Sequence, residues 1–132
     1  VTLAVDALPV AAWRYEPQGH ALQRRRSDGA PLRGVARRAA LDQDVVGDAA
    51  AVFVLSIHRA TFAADVHGAA RGYRHAFLEA GLIGERFYLE GVALGLGVCG
   101  VGAFYDDEAA ALIGIDPAHE WVVHFVAVGV PA

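Results

Sequence analysis

The sequence predicts an α+β fold in one domain, and three observations carry that prediction. Two apolar, β-branched runs, Ala51–His58 and Trp121–Val130, have the length and composition of strands. One stretch of helical periodicity, Arg71–Leu94, is long enough to span about 35 Å at 1.5 Å per residue. Shorter helical and hairpin signals are scattered irregularly between them, without the regular β-α alternation of a parallel sheet. A chain of 132 residues is ordinarily one domain. Its 55% hydrophobic and 20% charged content is that of a chain that builds a core, not of a disordered one.

From the N-terminus, Thr2–Asp6 alternates weakly and is expected as a short strand. Trp13–Tyr15 and Ala21–Arg25 flank Glu16-Pro17-Gln18-Gly19-His20, a proline- and glycine-bearing connection that predicts a hairpin. Ser27–Pro31 reads as a turn, with Pro31 opening a helix to about Leu41. Leu32, Val35 and Ala39 would form its inner face and Arg33, Arg37 and Arg38 lie largely off it. Ala51–His58 is expected as a buried strand, and residues 59–70 are ambiguous. On the long helix, Phe77, Ala80, Gly81, Gly84, Tyr88, Gly91 and Val92 fall near one side. Glycine inside a helix costs about 1 kcal/mol against alanine, so close approach of another helix is the expected compensation. Gly95–Tyr105 reads as a glycine-rich loop, with Gly95 or Gly97 capping the helix. Asp106-Asp107-Glu108 opens a short helix ending near Gly114, where acids suit the positive end of the helix dipole.

Several functions are excluded. Net charge is −4, so a basic footprint for nucleic acid is absent at the level of the whole domain. The uncharged stretch Gly91–Tyr105 is glycine-rich and shorter than the roughly 18 residues of a membrane span, and no signal peptide is evident. The single cysteine, Cys99, permits no internal disulfide and suits a reducing, cytoplasmic setting. All 11 basic residues are arginine, so no lysine of this chain serves catalysis. The 6 histidines show neither helix-face spacing nor a CxxC or HExxH pattern, and no metal site is expected. His58 and His124 sit in apolar strands and read as core histidines. No GxSxG occurs, and Ser27 and Ser56 are the available serines. Cys99 has no nearby basic group to lower its pKa.

Two motifs have an obvious reading that their context opposes. Gly95-Leu96-Gly97-Val98-Cys99-Gly100 matches the dinucleotide fingerprint by letter, but a helix precedes it and no helix follows directly. Arg24-Arg25-Arg26-Ser27 has the letters of an anion site, but as a charge run it reads rather as a solvated strand end running into a turn.

Arg71-Gly-Tyr-Arg-His-Ala-Phe-Leu-Glu-Ala-Gly81, Glu90-Gly-Val-Ala-Leu-Gly-Leu-Gly-Val-Cys-Gly-Val-Gly-Ala-Phe-Tyr-Asp-Asp107 and Leu112-Ile-Gly-Ile-Asp116 together resemble one family. They are similar to the C-terminal half of the SagB-type dehydrogenases, in the nitroreductase superfamily of FMN enzymes. Trp13–Leu22 resembles that family's hairpin, and Val126–Pro131 its last strand. The resemblance implies a mainly antiparallel sheet packed with helices around a long central helix. The chain, 1–132, is then expected to be one nitroreductase-like domain, incomplete at its N-terminus. The resemblance further implies an intertwined homodimer paired through the long helix, with FMN at the interface.

Gly100, Val101, Gly102 and Ala103 would lie against the isoalloxazine ring, where backbone N–H groups reach the flavin edge. The Lys-Tyr pair of azoline-oxidising members reads His67-Gly68 here, which makes His67 the candidate acid/base group. The implied activity is ping-pong transfer through flavin N5, from a donor such as NAD(P)H to a small-molecule or peptide substrate. Two alternatives stay open: a non-catalytic dimerisation module of the same fold, and a flavin-binding protein without turnover.

Overall fold

A computed structural model describes residues 1–26 and 32–131. The predicted turn at Ser27–Pro31, with the proline opening of the next helix, lies outside the described residues. Ten elements follow in order: β1 (Ala12–Glu16), β2 (Ala21–Arg26), α1 (Leu32–Ala39), α2 (Asp44–Gly47), β3 (Ala51–His58), α3 (Arg59–Ala63), α4 (Ala69–Leu94), β4 (Gly97–Val101), α5 (Asp106–Ile113) and β5 (Glu120–Gly129). The α+β expectation holds, with antiparallel sheets packed around the long helix α4.

The main sheet has the order β3-β5-β4, all antiparallel, so β5 is central and is its most buried strand. β3 pairs along Ala51↔Val128 to His58↔Glu120, with a register shift after Leu55 that leaves Val123 unmatched. β4 pairs along Gly97↔Gly129 to Val101↔Phe125 and then stops, so no β4 residue covers β5 between Glu120 and His124. One face of the sheet carries the core. Val52, Val101, Phe125 and Ala127 pack there with Leu32, Ala36 and Ala39 of α1 and Ala109 and Leu112 of α5. The other face carries α4.

The hairpin β1–β2 forms as expected, with Tyr15 paired to Leu22. It is tied to the body by Trp13 Nε1 donating to Thr2 Oγ1 at 2.9 Å and by Arg14 Nη1 donating to Glu120 Oε2 at 3.2 Å.

Five expectations need correction. Thr2–Asp6 is not a strand. It makes isolated bridges at Thr2 and Val5, because its partners are the loop residues Ala11 and Leu8 and the first residue of β3. Gly95–Tyr105 is not all loop: Gly97–Val101 is strand β4, since β5 offers it five consecutive pairing positions that outweigh the poor strand propensity of glycine. β3 is an edge strand and only half-buried, with Phe53 43% exposed beside Phe87 of α4. His58 is exposed and not a core histidine, because β3 ends there. The glycines on the predicted apolar side of α4 meet strands of their own chain where a helix was expected: Gly91 lies against Val98 of β4 and Gly84 against His124 of β5, while Gly81 faces open space; nearer the start of α4, Gly72 does meet a helix, at Phe62 of α3. Residues 59–70, unassigned from sequence, supply α3 and the entry to α4. Gly95, with φ 68°, closes α4 as the left-handed cap.

Candidate functional site

The glycine segment enters the site as the last residues of β4. Gly100 sits on the α4 side of the sheet, and its N–H donates to Tyr88 Oη at 2.7 Å. A methyl group on Gly100 would stand 3.0 Å from His124 Nε2, and one on Gly84 3.4 Å from the same nitrogen. Two glycines on two elements therefore make room for one imidazole. Burial alone pushes the His124 pKa below its ordinary 6.5, so the ring is neutral at pH 7. Val101 turns to the opposite face and is buried in the core.

Beyond Val101 the chain leaves the sheet and exposes Gly102 and Ala103. Nothing lies within 4 Å of where a Gly102 side chain would begin. Among the described residues, no acceptor takes the N–H of Gly102 or Ala103. The segment is nonetheless held firmly. Gln43 Nε2 donates to Ala103 O at 3.0 Å, Tyr105 N donates to Ala39 O at 2.8 Å, and Phe104 stacks on Phe125 with 4.9 Å between ring centres. The α1–α2 corner and the core thus anchor both sides of two unused, solvent-facing N–H donors. This is an arrangement that can hold a planar acceptor edge.

His67 lies elsewhere, in the turn before α4. Its backbone N–H donates to Asp65 Oδ1 at 2.8 Å, and Asp65 Oδ2 lies 3.3 Å from His75 Nδ1. That backbone bond chiefly holds the Asp65 carboxyl below its ordinary value against the opposing effect of burial, with His75 and the charge of His67 adding to the lowering. His67 itself is exposed, and no hydrogen bond or ion pair joins it to Gly102 or Ala103. Cys99 sits on β4, facing the core side of the sheet.

Two clefts flank the segment in sequence, lined by residues before and after it and by none of Gly100–Ala103. One, of about 440 Å³, lies between α4, the first turn of α5 and the open edge of β5. The other, of about 260 Å³, runs beside Val98, Cys99 and the end of β5. Each has aspartate in its lining and neither has arginine. Most arginines of the 24–38 region are engaged within the protein, while Arg25 makes, among the described residues, only an exposed 3.5 Å bond to Gln23 and lines a separate cleft of about 430 Å³ with Arg14. Arg24 stacks on Trp13, Arg26 donates to Ala111 O, and Arg33 donates to the carbonyls of Gly47 and Ala49. Arg37 pairs with Asp44 and Arg38 with Glu108. The residues around these two clefts therefore suit the ring edge of a flavin and offer no arginine to its phosphate. No group of three or more His, Cys, Asp or Glu side chains among them could hold a metal. No helix among them is long and apolar enough to cross a membrane.

Sequence reasoning did not find Gln43 or the role of Tyr88, because both act through contacts between distant elements. It also missed Glu120. This carboxylate is buried at the start of β5, accepts Ser56 Oγ at 2.5 Å and Arg14 Nη1 at 3.2 Å, and has His58 Nε2 at 3.9 Å. An acid directly before an apolar strand was the available signal.

Known proteins share this architecture. A crystal structure of a nitroreductase-type protein from Anabaena variabilis superposes with a TM-score of 0.86 at 29% identity, over 99% of this chain and 26% of that one. A chain of the E. coli microcin synthetase McbBCD complex, with truncated pro-MccB17 bound, superposes with a TM-score of 0.74 at 20% identity, over 91% of this chain and 44% of that one, a likeness of fold alone. A nitroreductase-type protein of Methanocaldococcus jannaschii is 42% identical over 45 residues, which are 34% of this chain and 23% of that protein. The chain thus spans less than half the length of each of these relatives. The sequence model of the nitroreductase family matches residues 6–130, which include every element from β1 to β5, and the chain belongs to that family.

Proposed function

We propose that this chain forms the ring-side part of an FMN-dependent oxidoreductase site of the SagB-type dehydrogenase kind. The observation that carries the reading is the pair of free N–H donors at Gly102 and Ala103, held in place by Gln43, Ala39 and Phe125. Gly100 and Val101 support them, one tied to Tyr88 and one buried in the core. When bound, FMN supplies ping-pong two-electron transfer between a donor such as NAD(P)H and a small-molecule or peptide substrate. The chain's own part is to hold the ring edge by backbone donation, which favours negative charge there. His67 is the side chain assigned to proton exchange, with Asp65 and His75 shaping the turn that presents it.

The proposed assembly is a homodimer through α4. Its outer face exposes Leu78, Leu82, Leu89 and Val92 beside a groove walled by Phe53, Phe87 and Leu94, a contiguous apolar ridge of the kind that an interface covers. A second reading, a non-catalytic module of the same fold, is favoured by His67-Gly68 standing where a Lys-Tyr pair is expected and by the absence of an arginine from the two flanking clefts.

Calorimetric titration of FMN into the 132-residue chain separates these. A few neutral hydrogen bonds of about 0.5–1.5 kcal/mol each do not overcome the entropy cost of association, so the chain alone should bind weakly. A longer version that supplies phosphate cations should bind tightly, and Gly102→Val should abolish that binding. Micromolar binding by the short chain, lost when Arg24, Arg25 and Arg26 are changed to Gln, would move the site to those arginines. Light scattering that shows only monomer at high concentration would remove the dimer.

A further inference from the structure

The larger cleft has chemistry that the flavin reading does not use. Its wall on α4 is Tyr73 and Phe77, and its wall on β5 is Trp121. These rings form one connected cluster: Tyr73 to Phe77 at 4.9 Å and Tyr73 to Trp121 at 6.2 Å between ring centres. Tyr73 and Phe77 remain more than 40% exposed, although each packs against another ring. The floor is the stretch of β5 that β4 leaves uncovered.

The charge in the cleft has one sign. Its charged lining residues are Asp106, Asp107 and Glu120, and no basic residue joins them. Glu120 is matched by Arg14. Asp106 and Asp107 have no ion-pair partner among the described residues, since the nearby Arg38 pairs with Glu108 instead. The aromatic cluster already takes a cation elsewhere: the Arg59 guanidinium stacks on Trp121 at 4.6 Å, held by Ala118 O, without lining the cleft. Aromatic faces with carboxylates that lack an ion-pair partner at one side attract a flat, delocalised cation, which is weakly hydrated and so loses little on leaving water.

We propose that this cleft is a binding site for a flat organic cation, an amidinium or guanidinium borne on an aromatic or extended group. The ring or chain of the ligand lies against Tyr73, Phe77 and Trp121, and its cationic head faces Asp106 and Asp107. The proposal stands whether or not the chain binds FMN, because none of these residues belongs to the glycine segment.

Nuclear magnetic resonance of the full 132-residue chain tests it directly. The protein has two tryptophans, so the indole N–H region holds two side-chain signals, assigned by Trp13→Phe. Benzamidinium is the probe, and neutral benzamide is its near-isosteric control. The Trp121 signal should move saturably with benzamidinium, at an apparent affinity about tenfold or more above that for benzamide, while the Trp13 signal stays still. Asp106→Asn with Asp107→Asn should reduce the affinity for benzamidinium to that for benzamide. Amide spectra of that variant report whether α5 is intact, and Tyr73→Leu should weaken both probes together. Raising the salt from about 0.05 to 0.5 M should weaken benzamidinium several-fold and leave benzamide unchanged. Equal affinity for the two probes, a preference that survives loss of both aspartates, or no movement of the Trp121 signal would each overturn the proposal.

Discussion

The two faces of the β3-β5-β4 sheet are covered in different ways. On the α1–α5 face, large side chains interlock: Phe125 and Leu112 are fully buried, and Phe104 lies flat on Phe125. On the α4 face, contact depends on missing side chains as much as on present ones. Gly84 and Gly91 let the helix down onto His124 and Val98, Phe87 and Tyr88 reach Phe53 and the Gly100 N–H, and Leu78, Leu82, Leu89 and Val92 point away and stay exposed. The first face is a finished core. The second is a tight seam under an apolar ridge, the pattern of a surface that serves both its own sheet and something outside it. The site segment lies at the junction of the two, with Gly100 on the seam side and Val101 and Phe104 on the core side.

Substitutions sharpen the contrast. Phe125→Ala should have the largest effect, a loss of about 3–5 kcal/mol, because it opens a cavity in the finished core and removes the ring under Phe104. Urea unfolding measures it, and a loss under 1 kcal/mol would mean that this face repacks freely. Gly72→Ala should cost about 3 kcal/mol, since the added methyl would collide with the Phe62 carbonyl and come 2.8 Å from Asp65 Cβ. Helix propensity alone predicts the opposite sign, so the measured direction decides between the close contact of α4 with α3 and propensity.

Charge probes the junction of sheet and hairpin. Burial alone would raise the Glu120 pKa, but hydrogen bonds from Ser56 and Arg14, with the charges of Arg14 and His58, hold it below its ordinary 4.5. A depressed carboxyl adds stability above its unfolded value, and that stability is lost as pH falls through the lower folded value. Glu120→Ala should cost about 2 kcal/mol at pH 7, the usual scale for losing charged hydrogen bonds. Glu120→Gln should flatten the acid limb of a stability–pH curve below pH 4.5. His124 titrates earlier. Its folded pKa is depressed by burial, so the neutral ring favours the folded state above 6.5 and that contribution fades as pH drops below it. His124→Gln should remove this first limb and leave the Glu120 limb in place; a limb that persists would belong to another group.

The smallest effect expected is a gain. Gly81 faces open space on the same helix, so Gly81→Ala should stabilise by about 0.5–1 kcal/mol. Thermal melting checks it. A loss instead would show that something packs on this face in solution, and light scattering of the same sample would identify a second copy.

Much of the fold was legible in the residues. The hairpin, α4, α5 with its acidic first turn and β5 each carry a strong local signal: turn residues, helical period, dipole-matched acids or a β-branched run. β4 was not legible, because Gly97-Val98-Cys99-Gly100-Val101 has the composition of a loop and becomes a strand through pairing with β5. The candidate segment at Gly100–Ala103 was found from sequence, but its division of labour was not. Which N–H is taken by Tyr88, which side chain is buried and which two donors remain free depends on how β4 meets α4 and α1.

The sequence by itself determined the class of fold, the placement of most elements and the segment to inspect. These follow from local periodicity, capping and turn chemistry, which act over a few residues. Tertiary structure alone decided the strand order, the burial of Glu120 between Ser56 and Arg14, and the meeting of Gly84 and Gly100 at one imidazole. Glu120 and Arg14 stand 106 positions apart. No local pattern encodes such a pairing, because its energy exists only once the sheet has brought the two groups out of water and into contact.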